Sequence, residues 1–439
     1  MPPFAPASLG LSAPTSLGLT PTSRITLRGA PVDRFAHVRV VDTLRSVVRF
    51  GPIERDRVAH RLRRAAAVRD LRRMARRRLP RGVFDYIDGG AEDERSLAGN
   101  AAAFEAIHFR PRVLRDVSSV DPSTTLFGQP LPVPIALAPT GFTRIADPQG
   151  ELAVARAAAR AGLPYTLSTL ATRSIEEVAS ASSGRKWFQV YVWRDRGLVK
   201  EMVDRAAASR FEALMLTVDT AVFGRRERDV RRGFTLPPQV GPATLIDGML
   251  HPAWVWDFVR ADPIRFANVA GRDVGDGGTA VSLAEYTAAQ FDPSVTWHDI
   301  DWLRSIWRGP IIIKGIQTVA DAVLAADAGV DAIVLSNHGG RQLDSTPAPI
   351  DLVAPTVDAA GDRIAVLCDG GVRRGGDVVK ALCRGATAVL IGRAYLYGLA
   401  AAGERGVDHV LGLFDADIRR TMALLGAATR ADLQPDLLA

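Results

Sequence analysis

The sequence predicts an α/β protein built on one (β/α)8 TIM barrel, with a basic helical extension at the N-terminus and a long loop after the fourth strand. Eight short apolar runs recur along the chain, and helical patterns separate most of them. Parallel strands need such crossovers and are buried on both faces, so they consist of continuous apolar runs. The 439 residues accommodate a barrel of about 250 residues with insertions. An open doubly wound sheet is disfavoured because no Gly-x-Gly-x-x-Gly follows the first run.

The N-terminal part differs from the rest in charge. Residues 1–80 hold 17 Arg, no Lys and five acidic residues, a net charge of +12, so the remainder carries −5 of the total of +7. We expect residues 1–53 to be disordered or loosely ordered, since their start is rich in Pro, Ser, Thr and Leu but lacks the apolar core and cleavage site of a signal peptide. Residues 54–439 are expected to form the folded domain, with the barrel over about 130–400 and the insertion over about 221–296.

The segment Arg55 to Arg78 carries eleven arginines. Its apolar residues have helical spacing: Val58, Leu62, Ala65, Val68, Leu71 and Ala75. Such a helix is either a solvated face of the protein or a membrane-surface helix attracted to anionic lipid. Nucleic-acid binding is not expected, because the segment has no interleaved aromatic residues and no known reader motif.

Cysteine and hydropathy indicate a cytoplasmic protein. The two cysteines, Cys368 and Cys383, fall in predicted buried elements, so no disulfide framework is expected. No apolar run reaches the roughly 18 residues that span a bilayer.

The predicted elements follow in order. The apolar runs are Pro134–Pro139, Tyr165–Leu170, Trp187–Val192, Leu214–Val218, Ile311–Lys314, Ala332–Leu335, Ile364–Cys368 and Ala388–Ile391. Helical patterns cover Gly150–Ala161, Ser174–Ala181, Gly197–Arg210, Val319–Ala328 and Gly375–Arg384.

One connection, from Thr220 to Thr296, shows no strong period and is far longer than usual. It contains an apolar, tryptophan-rich window from Leu245 to Phe258 and a glycine-rich stretch, Gly271–Gly278. We expect a lid over the site, a docking surface or a loop folded on its own small core.

A barrel site lies at the C-terminal ends of the strands, and in this sequence those ends are polar. The residues that follow strands seven and eight, Asp369 to Arg373 and Gly392 with Arg393, predict a phosphate site. Lys314 ends an apolar run and needs an anionic partner, either a bound anion or a structural carboxylate. The polar residues at the strand ends are Thr140, Ser168, Gln189, Tyr191, Thr217, Asp219, Lys314, His338, Arg341, Asp369, Gly371, Arg373, Gly392 and Arg393.

The stretch Ser336-Asn337-His338-Gly339-Gly340-Arg341-Gln342-Leu343-Asp344 pairs a possible base with a bidentate holder for a carboxylate. It resembles the active-site signature of the FMN-dependent 2-hydroxy acid oxidase and dehydrogenase family. The resemblance extends over roughly residues 70 to 430 and implies FMN as cofactor and a small 2-hydroxy acid as substrate.

The family's site residues carry over by resemblance. The flavin ring and ribityl chain would lie on Ala138, Pro139, Thr140, Ser168, Gln189, Thr217, Lys314 and Ser336, with Asp369 on the ribityl hydroxyls and Gly371, Arg373, Gly392 and Arg393 on the phosphate. Tyr86, Tyr191, Arg226 and Arg341 match the substrate-binding residues, and His338 matches the base. Asp219 matches the carboxylate that supports the imidazolium, and no metal is implied.

The resemblance also indicates a branch. Leu170 stands where glycolate-type enzymes carry a large aromatic residue, and neighbouring motifs resemble bacterial L-lactate dehydrogenases. We therefore expect oxidation of L-lactate to pyruvate, a quinone or other acceptor, peripheral contact with the inner face of the membrane, and a homo-oligomer that is a tetramer by resemblance. The alternatives are a peroxide-producing oxidase, an enzyme for a larger hydroxy acid, a phosphosugar isomerase or lyase on the same barrel, and a non-catalytic lipid-binding protein.

Overall fold

The computed structural model describes residues 55–232, 241–269 and 289–439, together with Ser46. The expectation of disorder for residues 1–53 and the glycine-rich stretch Gly271–Gly278 therefore lie outside the described residues, apart from Ser46.

The folded chain opens with four helices: α1 (Arg57–Arg63), α2 (Val68–Arg78), α3 (Arg81–Asp88) and α4 (Arg95–Ala106). The arginine-rich helix is thus two helices. Asp56 caps the first through Val58 N at 2.8 Å, and Asp70 accepts from Ala66 N and Ala67 N at 3.1 Å, where the second begins. The periodic apolar residues from Leu62 to Ala75 are buried, and α2 packs on the helix that follows the last strand. The apolar side of this segment is therefore protein core.

A short antiparallel hairpin closes the N-terminal end of the barrel. It consists of β1 (Thr124–Leu126) and β2 (Gln129–Leu131). Leu126 and Leu131 are buried with the interior residues at the starts of the strands, and the ring of Phe127 lies 5.9 Å from that of Trp187. Only the opposite end of the barrel is left for a site.

Eight parallel strands form the closed barrel, which confirms the predicted fold class. They are β3 (Ile135–Leu137), β4 (Tyr165–Ser168), β5 (Lys186–Val190), β6 (Ala213–Thr217), β7 (Ile311–Ile316), β8 (Ala332–Leu335), β9 (Ala365–Cys368) and β10 (Ala388–Ile391), with β10 pairing back onto β3. Each predicted run overlaps one strand, to within two residues at its start or end. The register places Ser168 beside Gln189 and Thr217 beside Lys314, so polar side chains gather at one rim.

Helices connect and cover the strands. They are α5 (Gly150–Arg160), α6 (Ile175–Ala181), α7 (Arg196–Ala208), α8 (Glu227–Arg232), α9 (Pro242–Met249), α10 (Pro252–Arg260), α11 (His298–Ile306), α12 (Val319–Asp327), α13 (Pro349–Ala360), α14 (Gly375–Cys383), α15 (Arg393–Ala402) and α16 (Glu404–Leu425). Within the described ranges, none of these helices combines the length and the apolarity needed to cross a bilayer.

The insertion after β6 is more ordered than its sequence suggested, because α8, α9 and α10 lie in it. Helices α9 and α10 each begin with a proline in the first turn, which favours the start of a helix. They form although their apolar residues lack a clear helical period. The period is missing because apolar side chains also cover the solvent side. The exposed ones are Leu245, Ile246, Met249, Leu250, Trp256, Phe258 and Val259.

Trp254, in the tryptophan-rich window, does not belong to that exposed set. Its Nε1 donates to Ile145 O at 2.8 Å, and its ring stacks on Phe258 with 4.8 Å between centroids. Arg78, the last residue of α2, donates to Asp257 at 2.7 Å. Helix α10 is thereby tied to the barrel rim on one side and presents Trp256 and Val259 on the other.

Candidate active site

An open cavity of about 1230 Å3, including its solvent-filled mouth, lies at the C-terminal end of the barrel. Almost all residues assigned from the sequence line it: Tyr86, Ala138, Pro139, Thr140, Ser168, Gln189, Tyr191, Thr217, Arg226, Lys314, His338, Arg341, Asp369, Gly371, Arg373, Gly392 and Arg393. Asp219 and Ser336 are not in the wall; they lie behind His338 and Lys314. The structure thus gathers residues from all eight strand ends and from α3.

His338 occupies a tight turn after β8. Its backbone φ is 57°, and Gly339 and Gly340 follow at 65° and 75°, so three consecutive residues are left-handed. A side chain at Gly340 would place Cβ 2.5 Å from Leu97 N, which explains the glycine. His338 N donates to Ser336 Oγ at 3.0 Å, and this bond fixes the turn.

Asp219 holds the imidazole of His338 from behind, with 2.9 Å between Nδ1 and Oδ1. Burial alone would raise the pKa of Asp219, but the neighbouring His338 and Lys314 lower it below its usual value, so the carboxylate is ionised. An ionised carboxylate accepts from Nδ1–H, which leaves the lone pair on Nε2. Burial lowers the pKa of His338 against the opposing effect of Asp219, so the ring is a neutral base near pH 7.

Lys314 has a structural carboxylate as partner, one of the two possibilities that the sequence left open. Its Nζ lies 3.3 Å from Asp369 Oδ2 and donates to Ser336 Oγ at 2.9 Å. Burial would lower the pKa of Lys314, but Asp369 and Asp219 raise it overall, so the ammonium keeps its charge. A fixed cation therefore lines the cavity.

Arg341 and Arg226 both lie over the ring of Tyr86, with guanidinium carbons 5.2 and 5.7 Å from its centroid. Arg341 Nη1 donates to Tyr86 O at 2.7 Å and to Gly89 O at 3.1 Å, which leaves its Nε and Nη2 edge for an anion. Burial, reinforced by the like charge of Arg226, lowers the pKa of Arg341 to about 9. Two partly buried guanidiniums on one aromatic ring are suited to hold a carboxylate.

Arg393 is held by the same helix end. It donates to Ile87 O at 3.1 Å, Gly89 O at 2.7 Å and Gly339 O at 2.8 Å. Burial lowers its pKa to about 10. Because these carbonyls occupy the side chain, the contribution of this segment to a phosphate site is the start of α15, where the first N–H groups of a helix lack intrahelical acceptors.

In the described part of the cavity wall, three buried polar atoms lack hydrogen-bond partners and could bind FMN. Among the described residues, Gln189 Nε2, Thr217 Oγ1 and Asp369 Oδ1 are buried without a hydrogen-bond partner, and all three residues line the cavity. Buried polar atoms without partners are costly, and a flavin ring and ribityl chain carry complementary groups. Gly371 has a φ of 90°, and a Cβ there would lie 2.3 Å from Asn100 O. Only glycine fits at that end of the cavity.

Several residues of the site were missed from the sequence. Phe223 and Thr220 line the cavity, and Phe223 packs on Phe291 with 4.5 Å between centroids. Gln342 donates to Asp219 O at 2.9 Å and to Val222 O at 3.0 Å, so it braces the loop after β6. The position of Phe223 shortly after a strand end indicates a site residue. It was missed because it lies inside the predicted insertion, residues 221–296.

Two further braces come from distant parts of the chain. Asn100 on α4 and Asn337 exchange side-chain hydrogen bonds of 2.8 Å, and Asn337 Oδ1 also accepts from Gly340 N at 3.0 Å. Tyr395 donates to Ala138 O at 2.8 Å, and its hydroxyl lies 2.6 Å from Thr140 Oγ1. Apart from the bond between Asn337 and Gly340, these contacts join residues more than 200 positions apart, which a local sequence pattern cannot reveal.

Apolar side chains also line the cavity, among them Leu170 and Phe223. Tyr191 is another lining residue, and its ring rests on Phe291 with 4.8 Å between centroids. Burial raises the pKa of Tyr191, so its phenol stays protonated and can donate. The cavity thus combines a cationic carboxylate site, a neutral base and an apolar wall.

Comparison with known proteins agrees with this chemistry. Residues 75–439 match the sequence model of the family described as FMN-dependent dehydrogenase. The chain is similar to a putative L-lactate dehydrogenase of Mycobacterium tuberculosis, at 46% identity over 396 residues that cover 90% of this chain and 94% of that protein. Glycolate oxidase 1 of Oryza sativa subsp. japonica is 43% identical, with 83% and 93% covered. The crystal structure of the monotopic membrane protein (S)-mandelate dehydrogenase superimposes with a TM-score of 0.82 at 42% identity, over 85% of this chain and 98% of that one.

Proposed function

The chain belongs to the family of FMN-dependent dehydrogenases and is an FMN-dependent 2-hydroxy acid oxidoreductase, and on that premise we propose that it oxidises L-lactate to pyruvate. The main support for this proposal is that Arg341, Arg226 and Tyr86 line the same cavity as His338, which is paired with Asp219. Similarity to L-lactate dehydrogenases supports the choice, such as that of Caulobacter vibrioides at 47% identity over 84% of this chain and 96% of that protein. The apolar wall at Leu170 suits a methyl group.

Each residue has a role in this proposal. The free edge of Arg341, with Arg226 and Tyr86, binds the substrate carboxylate and fixes the orientation of the α-carbon. Nε2 of His338 takes a proton, from either the hydroxyl or the α-carbon, and Asp219 stabilises the resulting imidazolium. The hydroxyl of Tyr191 donates a hydrogen bond to the reacting oxygen.

The cofactor residues divide by position in the cavity. Ala138 to Thr140, Ser168, Gln189, Thr217 and Lys314 would hold the ring, with Ser336 supporting Lys314 from behind. Asp369 would hold the ribityl hydroxyls, and Gly371, Arg373 and the start of α15 at Gly392 and Arg393 would hold the phosphate. The chemistry that FMN supplies when bound is the acceptance of two electrons from the substrate.

We place the electron acceptor at the membrane, as a quinone reached through α9 and α10. The exposed apolar side chains of these helices form a surface that water disfavours, and such surfaces mark membrane or protein contacts. The arginines of α1 and α2 add attraction to anionic lipid, although the apolar side of those helices is protein core. The enzyme would then act as a peripheral protein on the inner face of the cell membrane. A homotetramer completes the proposal and is tested by the mass in solution.

Absorbance of the purified holoenzyme tests the substrate. Addition of L-lactate without oxygen should bleach the flavin bands, while D-lactate should not, because the carboxylate site and the base fix one hand of the substrate. Glycolate and (S)-mandelate, offered at the same concentration, should bleach them more slowly. Faster bleaching by (S)-mandelate would reject lactate in favour of a larger hydroxy acid, and faster reoxidation by oxygen than by a short-chain quinone would make the protein an oxidase.

A further inference from the structure

A buried carboxylate, Asp88, joins the arginine-rich N-terminal helix to the carboxylate site. Asp88 is the last residue of α3, and its side chain is 5% exposed. Arg72 of α2 binds it with both arms of the guanidinium, Nε to Oδ1 at 2.6 Å and Nη2 to Oδ2 at 2.7 Å. Tyr397 of α15 donates to Oδ1 at 2.7 Å, and Arg228 of α8 donates to Oδ2 at 3.2 Å. Four elements therefore meet on one carboxylate.

Asp88 is ionised near neutral pH. Burial would raise its pKa, but Arg72, Tyr397 and Arg393 lower it to about 2. Removing one partner of such a buried group leaves the others with an uncompensated charge, so the contacts act as a unit. Arg72 also lies over the ring of Phe84, 5.6 Å from its centroid, and is held on two sides.

Two residues of the carboxylate site, Tyr86 and Arg226, lie on or next to elements that meet at Asp88. Tyr86 stands two residues before Asp88 on α3, and the carbonyls of Tyr86, Ile87 and Gly89 hold Arg341 and Arg393. Arg226 stands two residues before Arg228, which also pairs with Glu94. A displacement of Asp88 would thus move Tyr86 and Arg226 together and weaken the proposed binding of the substrate carboxylate.

We propose that Asp88 is a positioning residue for the substrate carboxylate, with Arg72 as its counter-ion, so that the arginine-rich helix acts inward on substrate binding. The inference rests on the proposed assignment of Arg341, Arg226 and Tyr86 to that carboxylate. Arg72 and Asp88 do not touch the substrate; they hold the groups that do. The network thus gives Arg72, on a largely charged helix, a partner inside the protein.

The test uses the Asp88→Asn variant of the full-length holoenzyme. Asparagine keeps one acceptor for Tyr397 but turns an N–H pair toward Arg72 or Arg228, which repels the arginine and shifts Arg226. We expect KM for L-lactate to rise roughly tenfold while kcat stays within about twofold. The dissociation constant of oxalate, a carboxylate that is not oxidised, should rise by a similar factor in a titration of the flavin absorbance.

Two variants on one helix separate positioning from general charge. Arg72→Met should reproduce the effect on oxalate binding, whereas Arg73→Met should not, because among the described residues Arg73 forms its ion pair with Asp70 at the surface, 2.9 Å away. Asp88→Glu, which restores the charge, should recover part of the affinity. If Asp88→Asn fails to fold, Arg72→Met and Tyr397→Phe carry the test.

Unchanged oxalate affinity in folded, FMN-containing Asp88→Asn or Arg72→Met protein would overturn the proposal. Equal losses in the Arg72 and Arg73 variants would do so as well, since the cause would then be net charge. Failure of the proposed substrate shows separately: wild-type enzyme would bind oxalate but would not be bleached by L-lactate.

Discussion

The substitution Asp219→Asn isolates the electrostatic support of the base. The side chain of Asp219 is 1% exposed, and its oxygen lies 2.9 Å from Nδ1 of His338. Asparagine has nearly the same shape, so the change removes charge from a buried pair with little change in packing. Loss of one partner of such a pair typically costs about 2 to 5 kcal/mol, which corresponds to a fall in kcat of roughly 30- to 5,000-fold at about 1.36 kcal/mol per decade.

The pH dependence gives a second, signed result. Asp219 raises the pKa of His338 against the larger effect of burial, so its neutralisation should lower that pKa further. The base works when neutral, and its protonation sets the acid limb of kcat/KM. That limb, already below the usual histidine value of about 6.5, should move to lower pH in the variant while the plateau falls.

Steady-state oxidation of L-lactate with a soluble dye, from pH 4.5 to 9, measures both effects. Asp204→Asn is a suitable control, because Asp204 is an exposed carboxylate paired with Lys200 at 2.7 Å, remote from the cavity. The reasoning is refuted if Asp219→Asn keeps its plateau within threefold of wild type, or if the acid limb moves upward.

Three further predictions concern the base, the carboxylate site and the membrane. His338→Gln should retain FMN but lose nearly all turnover, and bleaching by L-lactate at the wild-type rate would remove His338 from the mechanism. Arg341→Lys should raise KM by roughly 30-fold or more, since a point charge cannot replace a bidentate fork and truncated buried pairs cost about 2 to 5 kcal/mol; a normal KM would place the carboxylate elsewhere. Replacing Trp256 and Val259 by serine should weaken binding to anionic vesicles and reduction of a long-chain quinone, but not of a dye. Serine at Leu424, an exposed leucine on α16, is the matched control, and equal losses in both variants would exclude α10 as the membrane contact.

The barrel could be predicted from the sequence because its signals are local. Apolar runs such as Ile311 to Ile313 are buried on both sides, and polar residues such as Lys314 follow them at the rim. Eight repetitions of that pattern define a parallel barrel and its functional end. Roles such as that of His338 came from resemblance, since spacing alone indicates only a base near an arginine.

The remaining features depend on contacts that the sequence does not encode locally. Asp88 meets Arg72, Arg228 and Tyr397, which are 16, 140 and 309 positions away. The partner of Lys314 could be a ligand or a carboxylate until the structure placed Asp369 beside it. Helices α9 and α10 were missed because they carry apolar residues on their solvent side. The alternation of apolar and polar faces that identifies a surface helix is therefore absent from their sequence.

The end of α3 holds Arg341 through the carbonyl oxygens of Tyr86 and Gly89 rather than through a carboxylate. This difference determines which substitutions near the helix end would impair substrate binding. Carbonyls orient a guanidinium without cancelling its charge, so an arriving carboxylate meets a full positive charge already in place. An acidic side chain introduced beside this helix end would neutralise the arginine and abolish affinity while every substrate-contacting residue remained intact. The segment from Tyr86 to Gly90 should therefore be as intolerant of new acids as the binding residues are of replacement, although most of it never meets the substrate.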